Sequence, residues 1–319
     1  MLLSRFVAGM LSVELMVLGA GVASAQDYPN KPIRIVTSGA GGGGDFVTRL
    51  ISPGLAASLG QPVVVDNRPG IIPAQFVSKA PPDGYTLQVA GGAVWIIPLL
   101  RETPYDMMRD FSAISLLVRE IFIVVVHPSV PVKSVRELIA LAKARPGELN
   151  FASPGPGTTQ HLGLELFKSM TGVNIVHIPH KGGAAAITAL MSGEMQALIY
   201  DWGVVAPHLK SGKLRALAVA SATPSTLVPG LPTVAASGLP GYDVAGLTGI
   251  WAPAKTPGAI INRLNQEIVR VINLPDVNER FLNAGLEAVG GSPEQFAATL
   301  KSEIAKWGKV IKDGGIKVD

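Results

Sequence analysis

Cysteine is absent from all 319 residues. This excludes disulfides, thiolate-bound zinc and a thiol nucleophile, so packing alone must hold the fold. Charge is sparse too: Asp, Glu, Lys and Arg make up 16% of the chain, with a net charge of +4. The basic residues are scattered, with no basic run and no interleaved aromatics, which argues against a nucleic-acid partner. The small excess, with a pI near 9.3, suits anionic solutes. The five histidines show no metal-ligand spacing, His177 and His180 being too isolated a pair, so no metal is expected. No repeat of fixed period and no low-complexity tail is present. Beyond residue 25 no apolar run is long enough to span a bilayer, which takes about 20 residues.

Catalytic signatures are missing as well. Ser153 is not set in Gly-x-Ser-x-Gly, and its spacing from His161, across a turn into a helix, gives no reason to expect a nucleophile–base pair. A hydrolase built on Ser153, His161 and Asp201 is the remaining enzymatic alternative. The run Gly41-Gly42-Gly43-Gly44-Asp45 lacks the Lys-Ser/Thr of a P-loop, and the G-x-G-x-x-G context of a dinucleotide site is missing, although Asp66 ends the second strand. No catalytic residue and no cofactor is expected.

The N-terminus carries a pattern of its own. Arg5 precedes a largely apolar stretch from Phe6 to Val22, interrupted by Glu14, and Ala23-Ser24-Ala25 matches an A-x-A cleavage site before Gln26. Residues 1–25 therefore read as an export signal. The mature remainder is long enough for two lobes, each with its own core.

Strands and helices alternate, as in open, mainly parallel sheets covered on both faces. Strands are predicted at Ile33–Thr37, Pro62–Asp66, Tyr85–Ala90, Ile121–Val126, Leu149–Ala152, Asn174–Ile178, Gln196–Tyr200 and Ala216–Ala220. Helical periodicity marks Phe46–Leu59, Thr159–Met170, Ala184–Met191, Pro257–Val271 and Asp276–Ala284. Ser134-x-x-Glu137 opens a helix that Pro146-Gly147 ends, and Ser292-Pro293 opens the last one. Crossings near Ile121–His127 and Leu247–Pro253 would divide the chain into a first lobe of residues 26–126 plus 248–319 and a second of 127–247, joined by a two-crossover hinge.

Two loops stand out, each between a short apolar strand and a helix: Ser38-Gly39-Ala40-Gly41-Gly42-Gly43-Gly44-Asp45, and Ser153-Pro154-Gly155-Pro156-Gly157-Thr158-Thr159-Gln160-His161. A strand-to-helix turn with few side chains exposes backbone N–H groups at the positive end of a helix dipole. Two such loops in an exported chain suggest two lobes closing on one small carboxylate-bearing molecule.

In order and spacing, further stretches complete a pattern: Tyr28-Pro-x-Lys-Pro-Ile33, Gly60-Gln-Pro-Val-Val-Val65 leading to Asn67-Arg-Pro-Gly70, Pro82-Asp-Gly-Tyr-Thr-Leu87, His177-Ile-Pro-x-Lys-Gly182, Gly212-Lys-Leu-Arg-Ala-Leu-Ala-Val219, Leu231-Pro-Thr233 and Ala252-Pro-Ala254. Over essentially the whole mature chain this resembles the Bordetella uptake gene family of solute-binding proteins, the tripartite tricarboxylate transporter receptors. The resemblance implies a monomeric periplasmic binding protein of type II-like α/β fold, with the cleft between its lobes. The expected ligand is a small organic acid or amino acid, and the expected partners are the membrane subunits of a tripartite transporter. A loaded receptor that reports to a membrane sensor is the alternative.

Carried over residue by residue, the resemblance places the ligand against Ser38, Gly39, Gly41, Gly42 and Gly43 of the first loop and Ser153, Gly157, Thr158 and Thr159 of the second. Ser38 stands where relatives carry an aromatic, which implies a roomier or more polar pocket on that side. Pro156 departs from the pattern by removing an N–H. Asp45 is expected as the helix N-cap. Ser153 and Thr158 are expected to donate to the carboxylate. His161 either hydrogen-bonds behind the site or touches the ligand. His180, where relatives carry Tyr, either touches the ligand or forms hinge surface. Asp201 either pairs with a ligand ammonium or caps the next helix.

Overall fold

The computed structural model describes residues 28–317. The expected export signal and its cleavage site lie outside them. Among the described residues no helix is long and apolar enough to cross a membrane.

Among the described residues eleven strands form two sheets. The first contains β1 (Ile33–Thr37), β2 (Val63–Asn67), β3 (Thr86–Ala90), β4 (Phe111–Glu120), β10 (Gly246–Pro253) and β11 (Leu286–Gly290), in the order β11-β4-β10-β3-β1-β2. The second contains β5 (Phe122–Val126), β6 (Asn150–Ser153), β7 (Val176–Pro179), β8 (Ala197–Asp201) and β9 (Arg215–Val219), in the order β7-β6-β8-β5-β9. Both sheets are mixed, not mainly parallel: β1 pairs in parallel with β2 and β3, but β10 is antiparallel to β3 and β4, and β5 is antiparallel to β8 and β9.

The chain changes sheet at Ile121, one residue after β4 ends, so Phe122–Val126 belongs to the second lobe, not to the first as a boundary at 126 would have it. It returns just before Gly246, since Val244 still donates to Ala220 O (2.9 Å) while Gly246 pairs with Glu120 of β4. Leu247–Pro253 is therefore a central strand of the first sheet. The two crossings run side by side, and Glu120 stands beside both.

Among the described residues ten helices flank the sheets. Those that shape the site are α1 (Gly43–Leu59), α2 (Ile72–Val77), α3 (Ala93–Leu100), α5 (Thr159–Thr171), α6 (Gly183–Met191), α7 (Trp202–Lys210) and α10 (Pro293–Asp313); α4 (Val135–Ala144), α8 (Gly258–Ile272) and α9 (Pro275–Asn283) complete the set. Local chemistry explains their ends. α1 buries Val47, Ile51, Leu55 and Leu59 at four-residue spacing and stops at Gly60, whose φ of 67° suits an αL cap. Ser134 accepts from Glu137 N–H at the start of α4, and Ser292 with Gln295 forms a full capping box on α10.

One apolar cluster joins the lobes. It runs from Val36 and Trp251 on the first sheet and Trp95 of α3, through Phe296 and Trp307 of α10, to Leu162 and Phe167 of α5 and Phe151 of the second sheet. The close fit explains the glycines of β10. A Cβ at Gly249 would lie 2.1 Å from Phe296 Cζ, and one at Gly246 would lie 2.1 Å from Glu120 Oε2.

Candidate functional site

The first loop is braced from below. Asp45 is 5% exposed. Its carboxylate accepts from Gly41 N–H (2.9 Å) and Asn67 Nδ2 (2.8 Å) and pairs with Arg49 Nε (2.8 Å). Burial alone would raise its pKa, but these donors outweigh it and hold the carboxyl below its usual range. Asp45 is thus the third residue of α1 and ties the loop back; the N-cap is Gly42. Gly41 has a φ of 81°, and a Cβ at Gly44 would lie 2.7 Å from Thr37 Oγ1. The first helical bond is Phe46 N–H to Gly42 O, leaving the N–H groups of Gly43, Gly44 and Asp45 as open donors of the first turn.

The second loop is tied down differently. Ser153 is fully buried, and its Oγ lies 2.6 Å from His177 Nε2 while also meeting Gly155. Thr158 is the N-cap of α5: its Oγ1 accepts from His161 N–H (3.3 Å) and donates to Gly155 O (2.8 Å). Both hydroxyls expected to donate to a ligand are therefore engaged within the protein, Ser153 with His177 and Gly155 and Thr158 with Gly155. His161 accepts from Gly157 N–H at Nδ1 (3.0 Å) and stacks on His177 with ring centroids 3.9 Å apart. Burial, then the charge of Lys168, lowers its pKa to about 4, and burial does the same for His177, so both rings are neutral at neutral pH. His161 holds the loop from behind. Ser153, His161 and Asp201 form no relay: the serine meets His177, and no hydrogen bond joins Asp201 to either ring among the described residues.

Across the lobe boundary, Gly157, Thr158, Thr159 and Gln160 face Ala93, Ile96 and Ile97 of α3, lining a groove of about 330 Å³. Thr159 Oγ1 lies 3.6 Å from where a Cβ of Gly92 would stand, so the lobes touch here. They touch again where Gly203 of α7 meets Ala284 and Gly285. With Gly157 N–H bonded to His161 and Leu162 N–H to Thr158 O (2.9 Å), the open donors of α5 are the N–H groups of Thr159 and Gln160. They sit at the positive end of a helix, in the groove.

The remaining expected residues separate. Ser38 lines a cavity next to this groove, whereas Gly39, Gly41, Gly42 and Gly43 line neither. His180 lines a concavity on α6 with Ala184 and Thr188, away from the groove, and its Nδ1 lies 3.1 Å from Ile178 O. Asp201 is the N-cap residue of α7, but its side chain makes no capping bond.

Glu120 is a residue that sequence reasoning missed. Its Oε1 lies 3.9 Å from the Cβ position of Gly43, at the start of α1, and its backbone neighbour Ile121 accepts from Trp202 N–H (2.8 Å), next to Asp201. Burial, then the negative charge of Asp201, raises Glu120 to about 7; burial raises Asp201 to about 6. The only signal in the sequence was an acidic residue directly before the crossing.

Comparison with known proteins agrees with this architecture. Residues 47–316 match the model of the tripartite tricarboxylate transporter family receptor. Protein BugT of Bordetella pertussis is 35% identical over 316 residues, covering 96% of this chain and 97% of its own. The structure of R. palustris Rpa4515 with adipate is 35% identical, with a TM-score of 0.76 over 91% of this chain and 99% of that one. MatC from Rhodopseudomonas palustris with bound malate is 28% identical, with a TM-score of 0.72 over 89% and 100%. Two mixed α/β sheets joined by paired crossings, two loop-to-helix turns and this match across most of the chain place the protein in the tripartite tricarboxylate transporter receptor family, the Bug-type solute-binding proteins.

Proposed function

We propose that this protein is a periplasmic receptor that captures a small organic acid between its lobes and delivers it to the membrane subunits of a tripartite transporter. The observation that carries this reading is the N-terminus of α5. Thr159 and Gln160, whose N–H groups are open, line the groove with the apolar wall of α3 across the lobe boundary. Neutral donors at a helix N-terminus solvate a carboxylate without a buried cation. The apolar wall suits a short hydrocarbon chain. That similar proteins were solved with adipate and with malate supports the ligand class.

A thermal-shift panel of mono-, di- and tricarboxylates, amino acids and their neutral amides tests the reading. A ligand at 100 times its dissociation constant raises stability by about 2.7 kcal/mol. Acids that shift the transition while their neutral amides do not would support carboxylate capture; neutral compounds alone would overturn it. Delivery is tested by uptake of the identified acid in cells with and without the chain. Unchanged uptake would favour a sensory role.

A further inference from the structure

Sharing Ala93 and Ile97 with the groove, a second cavity of about 100 Å³ runs into the first lobe beneath the first loop. Its walls are apolar, including Ile71, Ala74 and Val94, apart from three polar side chains, Ser38, Gln88 and Tyr105, of which the Tyr105 hydroxyl donates to Val94 O (3.0 Å). Ser38 and Gln88 both line it, and Ser38 Oγ and Gln88 Oε1 are buried without a hydrogen-bond partner. Gln88 is 1% exposed and sits mid-strand in β3, opposite Val36 of β1 and Trp251 of β10. Buried polar groups in native proteins are nearly always paired. Two orphans on one small cavity, next to the groove, therefore indicate a missing partner. No charged side chain lines the cavity, so neither a second carboxylate nor an ammonium would find a counter-charge there.

We propose that this cavity takes the far end of the ligand, and that Ser38 and Gln88 select a neutral hydrogen-bonding group there, a hydroxyl above all. A hydroxyl both donates and accepts, so it satisfies Gln88 whichever way its amide is turned. An apolar cavity of about 150 Å³ admits benzene, so this smaller one suits a short chain end. The inference rests on the carboxylate reading above and narrows it to hydroxy acids.

Calorimetry with straight-chain acids of four to eight carbons tests it, each length as the unsubstituted acid, the ω-hydroxy acid and the dicarboxylate. At the best length the ω-hydroxy acid binds at least tenfold tighter than the other two. In Gln88→Leu that preference collapses to near parity while the unsubstituted acid still binds, and the ligand-free variant melts no lower than the parent, because the amide oxygen it loses had no partner. Equal binding of the three acids by the parent, or a preference that survives Gln88→Leu, would overturn the proposal and leave the carboxylate reading standing. A large drop in the melting temperature of ligand-free Gln88→Leu would also overturn it, by showing that an internal water or a framework contact already satisfies the amide. Failure of every acid to bind would remove both readings.

Discussion

Replacing Glu120 with glutamine keeps the shape of the side chain and removes a charge that the fold tolerates poorly. The carboxylate is packed over Gly246, faces the start of α1 and feels Asp201 across the crossing. Burial and that neighbour raise its pKa from 4.5 to about 7. At 1.36 kcal/mol per pKa unit, ionising it in the folded state costs at most roughly 3 kcal/mol. The sign follows from proton counts. Between about pH 4.5 and 7 the folded chain holds a proton that the unfolded chain has released, so stability falls as pH rises through this window. Below it both states are protonated and the cost vanishes. Glu120→Gln should therefore match the parent at pH 4.5 and exceed it at pH 8 by roughly 2–3 kcal/mol, or a melting temperature several degrees higher for a chain of this size. Asp201→Asn should act in the same direction, and the double variant should gain less than the sum, because each carboxylate raises the cost of the other. Thermal unfolding of the ligand-free protein at pH 4.5, 6 and 8 reads all of this. A Glu120→Gln effect equal at every pH, or a loss of stability at pH 8, would refute the reasoning.

The same geometry makes binding pH-dependent. An ionised Glu120 facing the start of α1 adds negative charge where an anion would meet that helix, so affinity for an acid should fall as pH rises through about 7, with proton uptake on binding detectable by calorimetry in buffers of different ionisation enthalpy. Ser153→Ala should destabilise the fold by about 1–3 kcal/mol, because it strips a partner from His177 and from Gly155 N–H; a loss of affinity with unchanged melting would instead restore direct ligand contact. Thr158→Val should lower stability by about 1 kcal/mol through loss of the α5 cap, as chemical denaturation would show. Gly183→Ala would set a Cβ 1.4 Å from Tyr200 Oη, so it should lower the melting temperature more than Ser153→Ala does; a wild-type melting curve would count against this packing.

Much of the fold was legible because it is encoded locally. Short apolar runs marked β1, β5 and β8, Ser134 and Ser292 announced α4 and α10, and the glycine-rich turns marked where the strands end. The site was legible only in outline. Ser153 and Thr158 have the chemistry of ligand donors, but a hydroxyl bonds whichever partner the folded chain brings near, and here that partner is His177 or Gly155. Leu247–Pro253 was expected as a crossing, whereas it lies within β10, whose Gly246 and Gly249 are required by Glu120 and Phe296, which arrive from β4 and α10. β4 and β11, lacking a local signature, became strands only by pairing with each other and with β10. Glu120 and Gln88 carried no motif. Their chemistry follows from burial beside Asp201 and beside an apolar cavity. Caps, turns and periodicity act over a few residues, so the sequence by itself determined the elements. Burial and partnership join residues far apart in the chain, so only the tertiary structure decided which polar groups were left free to bind.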